Sequence, residues 1–374
     1  MPAKNIHSAA FDESTISKLE IFENYAEAWI PTFVMQKIPK ICIFDFFAGA
    51  GYDTNNIPGS TIRILHKIKK FVQYIFKNKV KIILYINEYE PNKNKQTKFI
   101  KLKEACEQYL NENSEVRRAI EINFINEDFH TLFPKLINKI KESPSLVYLD
   151  QNGVSALSNK YLLELEKCSQ TDFIYFVSSS YILRFGNTDE FKNHINIDVT
   201  KAKKDPYKFI HKNIIEQLRS NLPKDTKLKL YPFSLKKSSN IYGIIFGASH
   251  IRAVDKFLSI AWKHNNTNGE ANFDIHNDNS PTPMQLSFFE DRRPSKVEQF
   301  QLLVREKILS GQIVNNFDLL DLVFKEGHIG KHADVCLRKL KQEGAIHYEG
   351  LSPLITYDNV YKNKRQIQYQ ITLK

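Results

Sequence analysis

The chain has 374 residues, of which 42% are hydrophobic and 12% aromatic, and its formal net charge is +11. This composition allows two or three domains with packed cores, and the absence of an apolar run of about 18 residues argues against a membrane span. The four cysteines form no Cys-x-x-Cys pair and the first residues lack the apolar segment of a signal peptide, so we expect a cytoplasmic protein without a disulfide framework or zinc knuckle.

The first part of the chain alternates between predicted helices and strands. Hydrophobic periodicity predicts helices over 14–33, 61–76, 93–111, 130–143 and 159–168. Short apolar runs between them predict strands over 41–46, 80–86, 120–125, 145–149 and 172–177. Pro31 is expected to end the first helix. The alternation predicts an α/β fold whose parallel sheet is connected by right-handed crossovers.

The first predicted strand leads into a turn that carries an acidic residue and two closely spaced glycines. The candidate cofactor-binding residues of this turn are Asp45, Phe47, Gly49 and Gly51. Glycine adopts backbone angles that a Cβ would forbid, and it lets a ligand approach the main chain closely. In doubly wound folds a strand, a turn of this kind and a helix hold a nucleotide-like ligand at the carboxyl end of the strand.

Acidic residues also follow the next three predicted strands. We expect Glu88 to accept both hydroxyls of a ribose, because two carboxylate oxygens match a vicinal diol. Asp128 is expected to bind an adenine amino group, with Phe129 against the ring. Asp150 and Gln151 are the candidate catalytic residues and are expected to hold the acceptor. Because the carboxyl ends of parallel strands share one edge of a sheet, these side chains are predicted to line one site.

The same acidic residues leave a nuclease as an alternative. Carboxylates bind Mg²⁺, and the candidate ligands would be Glu88, Glu90, Asp128 and Asp150. The sequence has no obvious Asp-x(n)-Glu-x-Lys arrangement, so no metal site is expected. His328 and His332 are expected at a helix cap and on the surface rather than as metal ligands.

After the fifth strand the pattern changes. The sequence predicts a hairpin and a final helix, with strands over 227–233 and 241–246 and the helix over 250–264. The region around 181–223 is polar and basic and is predicted to be a helical insertion. Residues 265–293 have the Asn, Asp, Thr and Pro content of a linker. The first domain is therefore predicted over 1–264.

Three predicted helices and an alternating tail follow the linker. They cover 295–310, 317–325, 328–342, 345–348 and 365–373. Three helices with a two-stranded wing form a winged helix-turn-helix, which is predicted over 294–374. Ser295 to Lys374 hold 12 basic and 9 acidic residues, a small excess that leaves both DNA and a protein partner open.

The positive charge of the chain is concentrated between residues 61 and 103 and between residues 201 and 237. Clustered cations favour a polyanionic partner through counterion release, although a solvated lysine-rich surface is the alternative. The candidate nucleic-acid-binding residues are Arg63, Lys67, Lys70, Lys203, Lys204, Lys331 and Arg338.

Two resemblances rest on these motifs. The order Asp-x-Phe-Ala-Gly-x-Gly after the first strand resembles the first motif of class I methyltransferases, which bind S-adenosylmethionine. Over about 14–260 the chain resembles the three-Cys-motif partner family. The shared segments are Lys18-Leu19-Glu20 to Tyr25, Ala28 to Pro31, the glycine turn, Pro58-Gly59-Ser60, Glu88-x-Glu90-Pro91, Asp128-Phe129, Asp150-Gln151-x-Gly153 and Ser178 to Phe185. The family resemblance implies a class I methyltransferase fold and a partner that is a radical-S-adenosylmethionine-like protein with three cysteines.

The chain departs from the family pattern after the fourth strand. The usual Asp-Pro-Phe/Tyr-Gly is replaced here by Asp150-Gln151-Asn152-Gly153. In amino-methyltransferases the equivalent motif orients the target nitrogen and stacks the base on its aromatic ring. The missing ring therefore argues against N-methylation of a flipped base.

Together these observations predict a doubly wound, mainly parallel sheet of class I methyltransferase type, followed by a small winged helix-turn-helix. The leading hypothesis is an S-adenosylmethionine-dependent methyltransferase that acts on or binds nucleic acid. The alternative is a non-catalytic scaffold whose winged helix binds a partner in a multi-protein, anti-phage or mobile-element system.

Overall fold

The computed structural model describes residues 10–92, 96–151, 159–178, 210–237, 240–276 and 294–372. Two compact units divide the chain, Met1–Ala253 and Val254–Lys374. The division falls inside the helix Ile251–His264, whereas the sequence placed the end of the first domain after that helix. Lys203, Lys204, most of the predicted insertion and much of the predicted linker lie outside the described residues.

The first unit is built on a sheet that has seven strands in the described part of the chain. They are β1 Lys40–Asp45, β2 Lys81–Asn87, β3 Ile120–Ile125, β4 Ser145–Leu149, β5 Thr171–Ser178, β6 Lys229–Lys237 and β7 Asn240–Ala248. Their order is β3-β2-β1-β4-β5-β7-β6, and β7 runs antiparallel to both of its neighbours. This strand order, with one inserted antiparallel strand beside β5, is that of class I methyltransferases and confirms the predicted fold class.

Helices cover both faces of the sheet. Those of the first unit are α1 Glu13–Met35, α2 Ser60–Asn78, α3 Thr97–Glu112, α4 Ser114–Ala119, α5 Phe129–Lys141, α6 Asn159–Glu166 and α7 Ile210–Ser220, and α8 Ile251–His264 spans the division. On one face, Phe44 and Val147 join a core with side chains of α5, α6 and α7. On the other face, Phe22 of α1 stacks on Tyr148 of β4 with ring centroids 3.8 Å apart. Alternate residues of each strand thus enter opposite layers.

Helix α1 is longer than the sequence predicted. Asp12 caps its first turn by accepting a hydrogen bond from Thr15 N at 2.8 Å. The helix continues through Pro31 to Met35, so the prediction that Pro31 ends it was wrong. Ile30 and Val34 are fully buried on either side of the proline, and their packing holds the last turn although proline removes one helical hydrogen bond.

The parallel register places the ends of β1 to β4 at one edge of the sheet. Asp45 pairs with Ile86 of β2 and with Tyr148 of β4, and Asn87 pairs with Ile125 of β3. The strand order reverses between β1 and β4, which is the position where open α/β sheets form a crevice for ligands.

The second unit contains the predicted winged helix-turn-helix. Its elements are α9 Lys296–Leu309, α10 Asn316–Lys325, α11 Gly330–Gln342, β8 Ile346–His347, a π-helix Asp358–Lys362 and β9 Gln370–Ile371. Ser295 and Glu298 form the expected capping box at the start of α9. The wing strands are shorter than predicted, and the π-helix was not predicted.

Buried Asn316 fixes the wing to α10. Its side-chain amide donates to Leu354 O at 3.2 Å and to Arg365 O at 2.8 Å, and its oxygen accepts from Ile367 N at 3.0 Å. These bonds satisfy three backbone groups of the wing that lie outside β8 and β9.

None of the helices in the described residues is long and apolar enough to cross a bilayer.

Candidate ligand-binding site

The side chain of Asp45, at the end of β1, is 1% exposed and bonds to the turn and to α2. It accepts hydrogen bonds from Ser60 Oγ at 2.5 Å, from Thr61 Oγ1 at 3.2 Å and from Phe47 N at 3.4 Å. Burial raises the pKa of Asp45 to about 7, although the three donors act in the opposite direction. Asp45 therefore positions the turn from behind and does not line the cavity described below.

The glycine turn has the backbone that its sequence predicts. Gly49 and Gly51 have φ angles of 70° and 87°, in the region that favours glycine. A Cβ on Gly51 would lie 2.9 Å from the Cβ of Ala105, so α3 also leaves no room for a side chain. Gly59 N donates to Gly51 O at 2.7 Å and closes the loop between β1 and α2.

Glu88 meets this turn from the end of β2. Its Oε2 accepts a hydrogen bond from Gly49 N at 2.8 Å, and its Oε1 lies 4.0 Å from Lys98 Nζ. The side chain is buried, which raises the pKa of Glu88 above its ordinary value. The glycine turn and Glu88, which were predicted to line one site, are thus in direct contact.

Asn87, which was not among the predicted site residues, holds the ends of β1, β2 and β3 together. Its side-chain nitrogen donates to Phe46 O and to Glu127 O, each at 3.1 Å, and its oxygen accepts from Glu127 N at 3.0 Å. The side chain is 2% exposed. A buried amide at the end of an apolar strand was the available sequence signal, because such a group needs several partners.

These elements surround a cavity of about 330 Å³ in the first unit. Residues 47–51 line it together with Glu88 and Asp150, and Phe176, Lys237 and Tyr242 line it from β5 and the β6–β7 hairpin. Its volume falls at the lower end of the roughly 300–1,000 Å³ that small-molecule sites occupy.

The start of α1 covers this cavity, which the sequence did not predict. Phe11, Ser14, Thr15, Lys18 and Leu19 all contribute to the lining. The segment is held to the glycine loop by a hydrogen bond from Phe11 N to Asp53 Oδ2 at 2.7 Å. An ion pair between Asp12 and Lys237 holds it to β6.

Asp150 lines the cavity and already has two partners within the protein. Its Oδ2 is 2.5 Å from Lys18 Nζ, and the phenol of Tyr148 donates to the same oxygen at 3.5 Å. Lys18 Nζ also lies 4.3 Å from the ring centroid of Phe176. The predicted acceptor residue therefore forms a shielded ion pair, with side chains that are 10% and 18% exposed.

The predicted adenine-binding residues lie away from the cavity lining. Asp128 caps α5 and accepts a hydrogen bond from His130 N at 2.9 Å. Phe129 is 4% exposed and packs against Phe46 and Tyr161, with ring centroids 5.3 Å and 5.1 Å away. Both residues have a structural function in this arrangement, and their role toward a ligand stays a prediction.

Other predicted polar residues also have structural partners. Gln151 is 2% exposed and does not line the cavity. Glu90 caps α3 by accepting from Lys98 N at 2.8 Å and from Phe99 N at 3.0 Å. Among the described residues, no group of three or more His, Cys, Asp or Glu side chains could hold a metal ion.

The basic residues of α2 are paired with acidic residues of α1. Arg63 Nη1 lies 3.1 Å from Glu23 Oε1. Lys67 and Lys70 both contact Glu27, at 2.7 Å and 2.8 Å. These pairs balance part of the charge on which the nucleic-acid prediction rested, and that role stays a prediction.

In the second unit, α11 presents Lys331 and Arg338 at the surface. The guanidinium of Arg338 bonds to Asp334 at 2.6 Å and donates to Leu351 O at 3.0 Å. His328 is 3% exposed and lies two residues before the first residue of α11. Its Nδ1 lies 2.9 Å from Nδ1 of His332, and its ring stacks on Phe300.

A known domain family matches the part of the chain that contains the winged helix-turn-helix. Residues 274–352 match the GMT-like wHTH domain. One similar solved structure is the O-methyltransferase TomG from Streptomyces achromogenes, which is involved in tomaymycin synthesis and was solved in complex with SAM. It is 10% identical, with a TM-score of 0.31, and the match covers 64% of this chain and 91% of TomG. No curated protein matches the sequence.

Proposed function

We propose that the cavity of the first unit binds S-adenosylmethionine and that the protein is a methyltransferase. The observation that carries this proposal is the contact between the glycine turn and Glu88, beside a cavity that also contains Asp150 at the reversal of strand order between β1 and β4. Open α/β sheets bind their ligands at this position.

The charges in the cavity fit the proposed ligand. S-adenosylmethionine carries a sulfonium, an ammonium and a carboxylate, and the cavity offers two carboxylates, Glu88 and Asp150, and three ammonium groups, Lys18, Lys98 and Lys237. Glu88 is the residue we assign to the ribose hydroxyls, because its two oxygens match a vicinal diol. The turn 47–51 is assigned to the amino-acid end, where the absence of side chains at Gly49 and Gly51 allows close approach.

Methyl transfer requires the protein mainly to position the two reactants. S-adenosylmethionine supplies an electrophilic methyl group on a cationic sulfur, which a nucleophile displaces in line. The protein then has to orient the acceptor and exclude water. The cover formed by Phe11 and the start of α1 serves that exclusion, since it closes one side of the cavity.

We further propose that the second unit engages nucleic acid. Winged helix-turn-helix domains place their third helix in the major groove, and α11 carries Lys331 and Arg338 on its exposed surface. The net charge of +11 supports a polyanionic partner for the chain as a whole, although the positive charge is concentrated in the first unit.

Thermal unfolding with and without S-adenosylhomocysteine tests the cofactor proposal. A ligand that binds only the native state stabilises it by about 2.7 kcal/mol at 100 times its Kd, so the unfolding temperature should rise by several degrees. Glu88→Gln should weaken the ligand at least tenfold, because it removes the charged acceptor of the diol. Glu121→Gln is the matched control, since Glu121 lies on β3 in an exposed pair with Lys81. A wild-type protein that shows no shift would contradict the proposal.

One observation favours a second function. Asp150, the residue predicted to hold the acceptor, is already paired with Lys18. In this alternative the first unit binds ligand without transfer, and the winged helix binds a protein partner, as the resemblance to three-Cys-motif partner proteins implies. The exposed Val335 on α11 and Leu351 in the wing support a protein contact. Transfer of labelled methyl groups to any acceptor would exclude this alternative.

A further inference from the structure

The acceptor side of the cavity has the aromatic surface that the fourth-strand motif lacks. Phe176 on β5 and Tyr242 on β7 both line the cavity. Their ring centroids lie 5.5 Å apart and their planes differ by only 18°. Both side chains are partly exposed. Two neighbouring strands therefore supply the ring surface that Asn152 cannot.

The contacts of Lys18 indicate what kind of chemical group can bind beside Asp150 and Phe176. Its Nζ lies 2.5 Å from Asp150 Oδ2 and 4.3 Å from the ring centroid of Phe176. One nitrogen thus contacts a carboxylate and an aromatic face at the same time, which are the two contacts that a nucleobase with an exocyclic amine needs. The Asp150 carboxylate and the Phe176 ring therefore lie close enough together to contact the same group.

The side chain of Lys18 is flexible, whereas the backbone that carries it is fixed. The neighbouring residues Leu19 and Phe22 are buried and fix the backbone of α1. The lysine stem is flexible and has four carbons, so a rotamer change removes the ammonium from Asp150 while α1 stays in place.

We infer that Asp150, Phe176 and Tyr242 form the acceptor subsite for an amine on a planar ring, the exocyclic amine of a nucleobase, and that Lys18 occupies this subsite until the acceptor enters. The inference rests on the proposed methyltransferase function and names its substrate class. The base stacks on the two rings, and its N–H group donates to Asp150, which distinguishes an amine from a carbonyl at the same position of the base.

The atoms and electrons of the methyl transfer balance with S-adenosylmethionine, the amine and Asp150 as the participants. The nitrogen–methyl bond forms while the sulfur–methyl bond breaks, and the sulfur keeps the electron pair as the thioether of S-adenosylhomocysteine. The nitrogen loses one proton, for which the Asp150 carboxylate is the acceptor in the subsite.

Calorimetric binding of four bases tests the inference, with S-adenosylhomocysteine present at saturation to fill the cofactor part of the cavity. The bases form two matched pairs, 1-methylcytosine with 1-methyluracil and 9-methyladenine with 9-methylhypoxanthine. In at least one pair the amine-bearing base should bind about tenfold more tightly than its carbonyl partner. Lys18→Met keeps the stem but removes the competing ammonium, so it should tighten that base by about a further tenfold.

Lys81→Met is the matched control, because it makes the same change in an exposed ion pair with Glu121 and Lys81 does not line the cavity. It should leave the preference between the paired bases unchanged. Phe176→Leu keeps an apolar side chain and leaves the Lys18–Asp150 pair intact, and it should weaken the preferred base about tenfold. This variant gives a result even if Lys18→Met fails to fold.

Two outcomes overturn the inference. One is equal binding within both pairs of bases, and the other is a preference that neither Lys18→Met nor Phe176→Leu changes. The thermal shift with S-adenosylhomocysteine is read separately. A protein that shifts but does not discriminate between the bases contradicts the acceptor subsite alone. The cytosine pair is therefore also measured without S-adenosylhomocysteine, where a preference without any thermal shift contradicts the cofactor proposal alone.

Discussion

The two units bury ionisable side chains of opposite kind. The first unit buries the carboxyl groups of Asp45 and Glu88, and burial raises the pKa of both. The second unit buries His328 and much of His332, and burial lowers the pKa of these histidines to about 2 and about 4. In both cases the folded state favours the neutral form of the group.

The surroundings of the two groups differ in a way that separates a ligand site from a structural cluster. Asp45 and Glu88 meet at a turn that borders a cavity with ammonium groups and room for a ligand. His328 and His332 contact each other, and Trp262 and Phe300 pack against their rings. A buried group beside a cavity is a candidate for function, whereas a buried group enclosed by rings stabilises one packing arrangement.

The largest expected effect is the pH dependence of Asp45→Asn. The folded-state pKa of Asp45 is about 7 against 3.8 for an unperturbed carboxyl, so the native state binds the extra proton and loses stability as the pH rises from 4 to 7. Relative to wild type, Asp45→Asn should therefore be more stable at pH 8 than at pH 4 by up to about 4 kcal/mol. Urea unfolding monitored by Trp29, in a Trp262→Phe background, measures this. The same difference at both pH values would show that Asp45 is not buried as described.

The second unit should respond to acid with the opposite sign. The folded-state pKa of His328 is about 2 against 6.5 for an unperturbed histidine, so the unfolded state binds the extra proton below pH 6.5. The second unit should lose about 3 kcal/mol through His328 between pH 6.5 and pH 4. Trp262 fluorescence in a Trp29→Phe protein reports this loss, and His328→Gln should reduce it. An acid response that His328→Gln leaves unchanged would assign it to other groups.

Replacing one glycine of positive φ in each unit with alanine compares how tightly the two units pack around their turns. Gly51→Ala places a Cβ 2.9 Å from Ala105 at a φ of 87°, so it should cost about 2–3 kcal/mol and weaken S-adenosylhomocysteine. Gly344 has a φ of 71° and nothing within 4 Å of its Cβ position, so Gly344→Ala should cost only about 1 kcal/mol. Denaturant midpoints measure both costs. Equal losses would mean that contact with α3 contributes nothing at Gly51.

The smallest expected effect on stability is that of Arg338→Ala. Arg338 lies in an exposed ion pair with Asp334, so its loss should leave the unfolding free energy nearly unchanged. If Arg338 contacts a phosphate, the salt dependence of duplex binding should decrease by about one counterion. Fluorescence anisotropy across a salt series measures this. An unchanged slope would favour a protein partner for α11.

Most of the fold could be predicted from local patterns. Each predicted strand up to β5 overlaps a strand of the structure, because continuous apolar runs bounded by polar turns identify buried strands without tertiary information. The end of α1 could not be predicted in this way. Pro31 weakens a helix by a local rule, and the buried neighbours that override the rule belong to other parts of the chain.

The candidate site was predictable only in part, for a related reason. The contact between the glycine turn and Glu88 follows from strand order, because parallel strands end at one edge of the sheet. Lys18 and Phe176 gave no comparable signal, since one lies on an amphipathic helix and the other in an apolar strand. Asp128 and Phe129 followed the same pattern as Glu88 but became a helix cap and a core residue.

The amino-acid sequence alone determined the order of helices and strands, the glycine turn and the carboxylates that follow the strands, because these depend on residues close together in the chain. Only the tertiary structure decided which of those carboxylates border the cavity and which groups neutralise them. Lys18 reaches Asp150 and Arg63 reaches Glu23 because packing brings distant segments within a few ångströms. Side-chain charges interact over those distances whatever their separation in sequence.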